Sequence, residues 1–333
     1  MVLYQDAGVD IDTAKAIKRR IKKLVKKTFS PNVLSEIGQF GSLYQLTGYK
    51  RPVLVASCDG VGTKLLVAAM MKKHDTVGED LVNHCVNDIL TLGARPLFFL
   101  DYIAYSQLAK ATIGEIFKGL VSGCRNNHCA LIGGETAQMP GFYQPGEYDL
   151  VGFIVGVVEK DKIIESEKLN AGDVLIGLPS SGLHTNGYSL ARKVFFEIKQ
   201  FKPTDNIKGL KKSLGEELLR VHRSYYPVLY PFLKNIKALA HITGGGFYEN
   251  IQRLLPQNIA CVINKNSWRK PKIFQLIQDY GNIPDAEMYR VFNMGIGMII
   301  FVSKKSLPKI LKALPEGIVI GELVKGNFGV KIQ

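Results

Sequence analysis

Apolar positions in the first half of the chain gather into short runs of strand character, separated by stretches with the 3.6-residue helical period. PVLVASC (52–58) reads as a buried strand running into Asp59, followed by LFFLDYIAYS (97–106), ALIGGET (130–136) and DLVGFIVGVVE (149–159). Helices are predicted over 79–93 and 110–127, so strands and helices alternate in βαβ-like order. Ahead of them, KAIKRRIKKLVKK (15–27) places Ile17, Ile21, Leu24 and Val25 on one helical face and eight Lys/Arg elsewhere. SEIGQFGSLYQL (35–46) is too broken by glycine for a long helix.

The charged, turn-prone segment EKDKIIESEKLNAGD (159–173) marks a boundary. Beyond it, strands are expected at 173–180, 260–264, 295–303 and 317–325, with helices at about 187–198, near 214–237 and after the TGGG at 243–246. The pattern predicts a mixed α/β (α+β) chain of two domains, 1–165 and 170–333, without internal repeats.

A length of 333 residues with 46% hydrophobic content is enough for sizeable cores. The N-terminal MVLYQDAGVDID lacks the basic start and apolar stretch of a signal peptide, and no apolar run has membrane-spanning length, so a cytoplasmic protein without membrane partners is expected. Five cysteines (58, 85, 124, 129 and 261) form no C-x-x-C pair, which suits a reducing compartment, and no Cys/His cluster has structural-zinc spacing.

The net charge of +14 raises the question of nucleic acid. Up to residue 150 there are 17 Lys/Arg against 14 Asp/Glu, and after it 26 against 15. The surplus in the second half is spread rather than clustered, and no RNA-binding signature accompanies the basic helix. Nucleic-acid binding is therefore not expected, and the helix is either a solvated face or an anionic-ligand surface.

SCDGVGTKL (57–65) superficially resembles a phosphate-binding P-loop, but Thr63 precedes Lys64, the glycines are too close, and Asp59 stands where that loop has no carboxylate. Asp59 and Glu135 stand at strands beside glycines and Asp101 lies within 97–106, positions that turn formers take and that ligands of a hard cation take. In EDLVNHCVNDILTLGARP (79–96), Asp80, His84 and Asp88 share a helical face. Exposure is expected to explain most of that polarity, with an Asp and an Asn of the last turns facing Asp59 at a magnesium site.

PSSGLHTNGYSLARKV (179–194) and HITGGGFYENIQRLL (241–255) each lead through small polar residues into a helix start, the arrangement of an anion cradle. His184, beside Thr185 and Asn186, is expected to be exposed and suited to proton transfer, while His222, near Arg220 and Arg223, reads as surface. Two cradles, a carboxylate cluster and a lysine, without a nucleophile elbow, suggest ATP and Mg2+ acting on a second, phosphorylated substrate.

The motifs YQDAGVDID, DGVGTKL, CVNDIL, PLFFLDY, GGETA, YDLVGF, HTNGYSLARK, HITGGGFYENI and MYRVFNMGIGMII stand in an order that resembles the phosphoribosylformylglycinamidine cyclo-ligase (aminoimidazole ribonucleotide synthetase) family of purine biosynthesis. The resemblance implies ATP-dependent closure of formylglycinamidine ribonucleotide to 5-aminoimidazole ribonucleotide, releasing ADP and phosphate, through phosphorylation of the formyl amide oxygen. It implies nucleotide binding by Gly38, Gly41, Ser42, Asp59, Gly60, Gly62, Thr63, Lys64, Asp88, Asp101 and Glu135, with Asp59, Asp88 and Glu135 on Mg2+ and Lys64 on the phosphates.

By the same resemblance His184 and Asn186 lie near the reacting amide, and Ser180, Ser181, Thr185, Gly244, Gly245 and Gly246 hold the substrate. The family's two-domain fold further implies a homodimer whose N-terminal sheets pair into a barrel. Two departures stand out: Gln138 replaces a usual glutamate and Thr185 a usual serine. Relatives of this architecture make selenophosphate, phosphorylate thiamine monophosphate or amidate the preceding purine intermediate; the absence of a cysteine before Cys58 speaks against the first.

Overall fold

The computed structural model describes residues 11–333, so most of the YQDAGVDID motif (4–12) lies outside the described residues. The chain divides into two compact units, one formed by the described residues up to Ile89 with Arg95–Glu159, the other by Leu90–Ala94 with Lys160–Gln333.

In the first unit α1 (Ile11–Val25) carries the basic run. It buries Ile17, Ile21 and Val25 and leaves Leu24 half-buried, as its amphipathic spacing requires. Then come β1 (Pro52–Gly60), α2 (Lys64–Met71), α3 (Val77–Leu90), β2 (Arg95–Tyr105), α4 (Lys110–Asn126), β3 (Ala130–Gln138) and β4 (Tyr148–Glu159).

The strands form one sheet in the order β1-β4-β2-β3. β1, β2 and β3 run in one direction, and β4, lying between β1 and β2, runs antiparallel to both; β2 and β3, joined through α4, form the hydrogen-bonded parallel pair. The expected βαβ order is thus realised twice, from β1 through α2 and α3 to β2 and from β2 through α4 to β3. Glycines bring α3 close to the sheet: a Cβ on Gly152 would stand 2.9 Å from Leu81 Cγ, and one on Gly156 2.6 Å from Ile89 Cδ1. The side chains alternate, with Phe99 and Ile154 fully buried and Leu54 and Phe153 on the other face, 63% and 42% exposed.

The second unit contains β5 (Val174–Pro179), α5 (Tyr188–Arg192), α6 (Leu214–Leu218), α7 (Tyr226–Leu229), β6 (Ala238–His241), α8 (Gly246–Gln252), β7 (Ile259–Ile263), α9 (Lys272–Gly281), α10 (Asp285–Val291), β8 (Ile296–Val302), α11 (Leu307–Ala313), β9 (Ile318–Lys325) and β10 (Gly329–Ile332). Its six strands lie in the order β10-β7-β9-β5-β8-β6, antiparallel except for β10 with β7. All seven residues of β8 are buried, which is why IGMIIFV shows no polar alternation.

The helices expected near 214–237 are present but short. Ser213 and Glu216 form a capping box that starts α6, residues 220–225 are irregular, and Pro227 and Pro231 open separate short turns. The expected helix at 187–198 changes from α to π geometry at Lys193. Among the described residues no helix is long and apolar enough to cross a membrane.

Candidate functional site

Strand register organises the carboxylates of the first unit. Asp59 pairs with Gly152, Gly152 with Asp101, and Asp101 with Gly134, so these residues form one row across the sheet. Asp59 and Asp101 therefore lie about 10 Å apart along the row, two strand spacings. Glu135 stands one residue beyond the row, beside Tyr102. Gly134 is required for close approach: a Cβ there would sit 2.3 Å from the Asp101 carbonyl oxygen and 2.5 Å from its Oδ1.

α3 presents polar groups to the β1 end of this row. His84 Nε2 lies 2.8 Å from Asp59 Oδ2, while Asp59 Oδ1 accepts the Gly60 N–H at 2.7 Å and Ser57 Oγ donates to Asp88 Oδ2 at 3.2 Å. Burial alone would lower the His84 pKa, but Asp59, Asp88 and Asp80 outweigh it and raise it, so the cluster favours a cation at that position. The polarity of α3 is buried, not exposed as the pattern suggested: Asp80, Asn83, His84 and Asn87 are all inside, and Asn83 accepts from Asn127 Nδ2 at 2.7 Å. A polar helix face can be buried when each group finds a partner.

Asp101 is buried, with Oδ2 lacking a hydrogen-bond partner, and burial, reinforced by Glu135, pushes its carboxyl up to about 8. An ordinary buried carboxylate in this state either holds a proton or meets a cation. Asp101 and Glu135 line a cleft of about 640 Å³ together with Gly38, Gly41 and Ser42. Ser42 is tied to the sheet edge by donating to the Ile132 carbonyl at 2.6 Å. The far wall is α1, which contributes Lys18, Arg19 and Lys22. The basic helix thus lines the same cleft as the carboxylates, a placement that its charge run alone did not reveal.

Two expectations change here. Asp59, Asp88 and Glu135 are not gathered around one point, since Glu135 is three strand spacings, about 15 Å, from Asp59 along the row. Lys64 is not presented to a ligand: it is fully buried, with Nζ 2.9 Å and 2.8 Å from the two oxygens of Asp80. Burial lowers its pKa and the Asp80 charge opposes that. Gly60, Gly62 and Thr63 form the turn joining β1 to α2.

In the second unit the 180–187 loop and the 243–246 turn come together. The Asn186 Oδ1 lies 3.4 Å from where a Gly244 Cβ would stand. Ser180 Oγ donates to the Gly182 carbonyl at 2.9 Å and Ser181 Oγ to the Val221 carbonyl, so both hydroxyls are engaged in the loop itself. Gly245 and Gly246 have φ of 85° and 58°, and a Cβ on Gly246 would stand 2.1 Å from the Tyr289 carbonyl. Backbone conformation and packing therefore account for those two glycines.

His184 is buried at 1% exposure in left-handed backbone, φ 63°, and its Nε2 accepts the Ser181 N–H at 3.2 Å. It is not the exposed residue its polar neighbours suggested. His222 is fully buried rather than on the surface. Its ring stacks on His184 with centroids 3.9 Å apart, its Nδ1 lies 3.3 Å from Thr185 Oγ1, and its Nε2 lies 3.0 Å from His241 Nε2.

Residues 44–158 match the model of AIR synthase related protein, N-terminal domain, and 170–333 that of AIR synthase related protein, C-terminal domain. A phosphoribosylformylglycinamidine cyclo-ligase of Thermoanaerobacter sp. strain X514 is 51% identical over 332 residues, covering 98% of this chain and 99% of that one. One of Caldanaerobacter subterraneus subsp. tengcongensis is 52% identical over 333 residues, covering 98% and 99%. Among solved structures, E. coli HypE, a hydrogenase maturation protein, aligns with a TM-score of 0.66 at 15% identity, over 96% of this chain and 93% of that one. A thiamine-monophosphate kinase from Stenotrophomonas maltophilia K279a aligns with a TM-score of 0.62 at 16% identity, over 98% and 96%. The solved structures share the fold, and the two-part family match and near-full-length identity place the chain within one family: it belongs to the phosphoribosylformylglycinamidine cyclo-ligases.

Proposed function

We propose that the protein closes the imidazole ring of 5-aminoimidazole ribonucleotide from formylglycinamidine ribonucleotide at the expense of ATP, in purine biosynthesis. The observation that carries this reading is identity of about half the residues to cyclo-ligases over 98% of the chain. In the proposed reaction the substrate's formyl amide oxygen accepts the γ-phosphoryl group of ATP, and the amidine nitrogen then attacks the same carbon. The C–O bond breaks, phosphate leaves with both bonding electrons, and the nitrogen gives up its proton.

The nucleotide is assigned to the cleft between α1, the 38–42 loop and the β2/β3 edge, where Lys18, Arg19 and Lys22 supply positive charge for phosphates. The carboxylates fit Mg2+, which takes oxygen donors: Asp59 with Asp88 at one end of the row, Asp101 with Glu135 at the other. Bound there, Mg2+ would neutralise charge on the transferring phosphoryl group. Asp101 would give up its proton on meeting that cation. Lys64 takes a positioning role through Asp80 in place of a direct phosphate contact.

His184 and Asn186 are assigned to the amide and amidine end, with Ser180, Ser181, Thr185 and the Gly244–Gly246 turn around the substrate. His184, whose Nε2 accepts from a backbone N–H, carries its proton on Nδ1 when neutral, and from there can donate a hydrogen bond to developing negative charge. Residues 1–165 would then serve ATP binding and dimer formation and 170–333 the substrate. The exposed Leu54 and Phe153 on one sheet face support pairing with a second copy in a homodimer. A cytoplasmic location accords with the proposed reaction.

The test supplies purified protein with ATP, Mg2+ and formylglycinamidine ribonucleotide and follows ADP and 5-aminoimidazole ribonucleotide together. Equimolar formation of both is expected. ADP without the imidazole product, or neither from folded protein, would overturn the assignment.

A further inference from the structure

His184, His222 and His241 come from three separate segments: the loop after β5, the irregular stretch before α7, and the last residue of β6. Their exposures are 1%, 0% and 5%, and each offers a ring nitrogen within 4.8 Å of the other two. Residues so far apart in sequence escape a search for zinc-type spacing.

We propose that His222 and His241, joined by His184, form a binding site for a borderline-soft divalent ion of the Zn2+ class. The two Nε2 atoms of His222 and His241 are 3.0 Å apart. Two lone pairs do not face each other at that distance, so one proton lies between them, and a metal ion takes the place of that proton. Tetrahedral ligation at Zn–N of about 2.0–2.1 Å places nitrogens about 3.3 Å apart, so the pair needs only a small separation to chelate.

The outer contacts are those of a ligating imidazole. His222 Nδ1 lies 3.3 Å from Thr185 Oγ1; donation to that hydroxyl fixes the ring and reserves Nε2 for the ion. The planes of His222 and His241 are inclined at 54°, so their nitrogens can converge on one point. His184 is stacked at 20° to His222, and parallel rings cannot both aim at one ion. It becomes the third ligand by turning out of the stack and releasing the Ser181 N–H. Imidazole donors select Zn2+, Co2+ or Ni2+ over Mg2+, so this chemistry differs from that of the carboxylates assigned to Mg2+.

The test uses the full chain, stripped by chelator and equilibrated by dialysis with Zn2+ or Mg2+ alone, without nucleotide or substrate. Bound metal per chain is measured, and X-ray absorption identifies the donor atoms. One Zn2+ per chain with imidazole nitrogen neighbours is expected, with no Mg2+ retained under the same conditions. His222→Gln and His241→Gln should each weaken Zn2+ binding at least about tenfold. Binding well below one equivalent, sulfur neighbours that point to exposed Cys58, or wild-type affinity in both variants would overturn the proposal. If a variant does not fold, the donor atoms in the wild-type chain decide alone. The readout is metal binding, so failure of the ring-closure assay leaves it standing, and the reverse.

Discussion

The two units hold their polar residues in different ways. The first concentrates ionisable groups: Asp59, Asp88, Asp101 and Glu135 on and beside one sheet, a buried Lys64–Asp80 pair beneath, and Lys18, Arg19 and Lys22 along the cleft beside α1. The second gathers hydroxyls, amides, glycine backbone and three imidazoles in its loops and at the end of β6, although its half of the chain carries most of the net positive charge. Net charge and working charge are thus separate quantities. Phosphoryl transfer needs dense opposite charges around phosphate and metal, whereas a neutral amide is held by donors that are already oriented.

The largest effect on this comparison is expected from Lys64→Met. It leaves Asp80 charged and buried without its cation, at a cost of about 3–5 kcal/mol in chemical denaturation. Adding Asp80→Leu should recover most of that loss, and a Lys64 working mainly on phosphates would show no such recovery. Asp59→Asn comes next: turnover is expected to fall about 10²–10³-fold with the fold intact, the cost of removing a focused electrostatic contact. Wild-type turnover at low Mg2+ would remove Asp59 from the site.

His184→Ala is expected to lower turnover about 10²-fold while leaving nucleotide affinity unchanged. Gly297→Ala should reproduce part of that loss, because its Cβ would stand 2.4 Å from His184 Cε1. The smallest effect belongs to Asp101→Asn in the ligand-free protein. Asp101 titrates near 8 when folded and near 4 when unfolded, so the stability it contributes is complete below about pH 4 and is lost as pH rises through 8. Asparagine mimics the protonated form, so the variant should flatten that slope and be the more stable of the two at pH 8, read by thermal unfolding.

Much of the strand framework was legible because β1–β4, β5, β8 and β9 are apolar runs bounded by turn residues. The short helices α9, α10 and α11 and the four-residue strands β6 and β10 were not, since each carries too few residues to establish a period. At the site, sequence singled out Asp59, Glu135 and His184 by their glycine-rich or turn-rich settings, and Asp101 as a carboxylate inside an apolar strand run. It misjudged burial wherever a polar residue is satisfied by a distant partner. Asp80 meets Lys64, Asn83 meets Asn127, and His222 meets Thr185 and His241, contacts that no local pattern records. Nor did the glycine triplet declare its cause, which lies partly in the backbone of residues 289–290 packed against Gly246.

The most direct test of this division of labour is a calorimetric titration of a non-hydrolysable ATP analogue into wild type, Asp59→Asn and His184→Ala, with and without Mg2+. Mg2+-dependent affinity is expected in wild type and His184→Ala alike, with a loss of at least about tenfold in Asp59→Asn, equivalent to 1.4 kcal/mol or more. Unchanged Mg2+-dependent affinity in Asp59→Asn, with loss in His184→Ala, would place the nucleotide in the second unit and contradict that division.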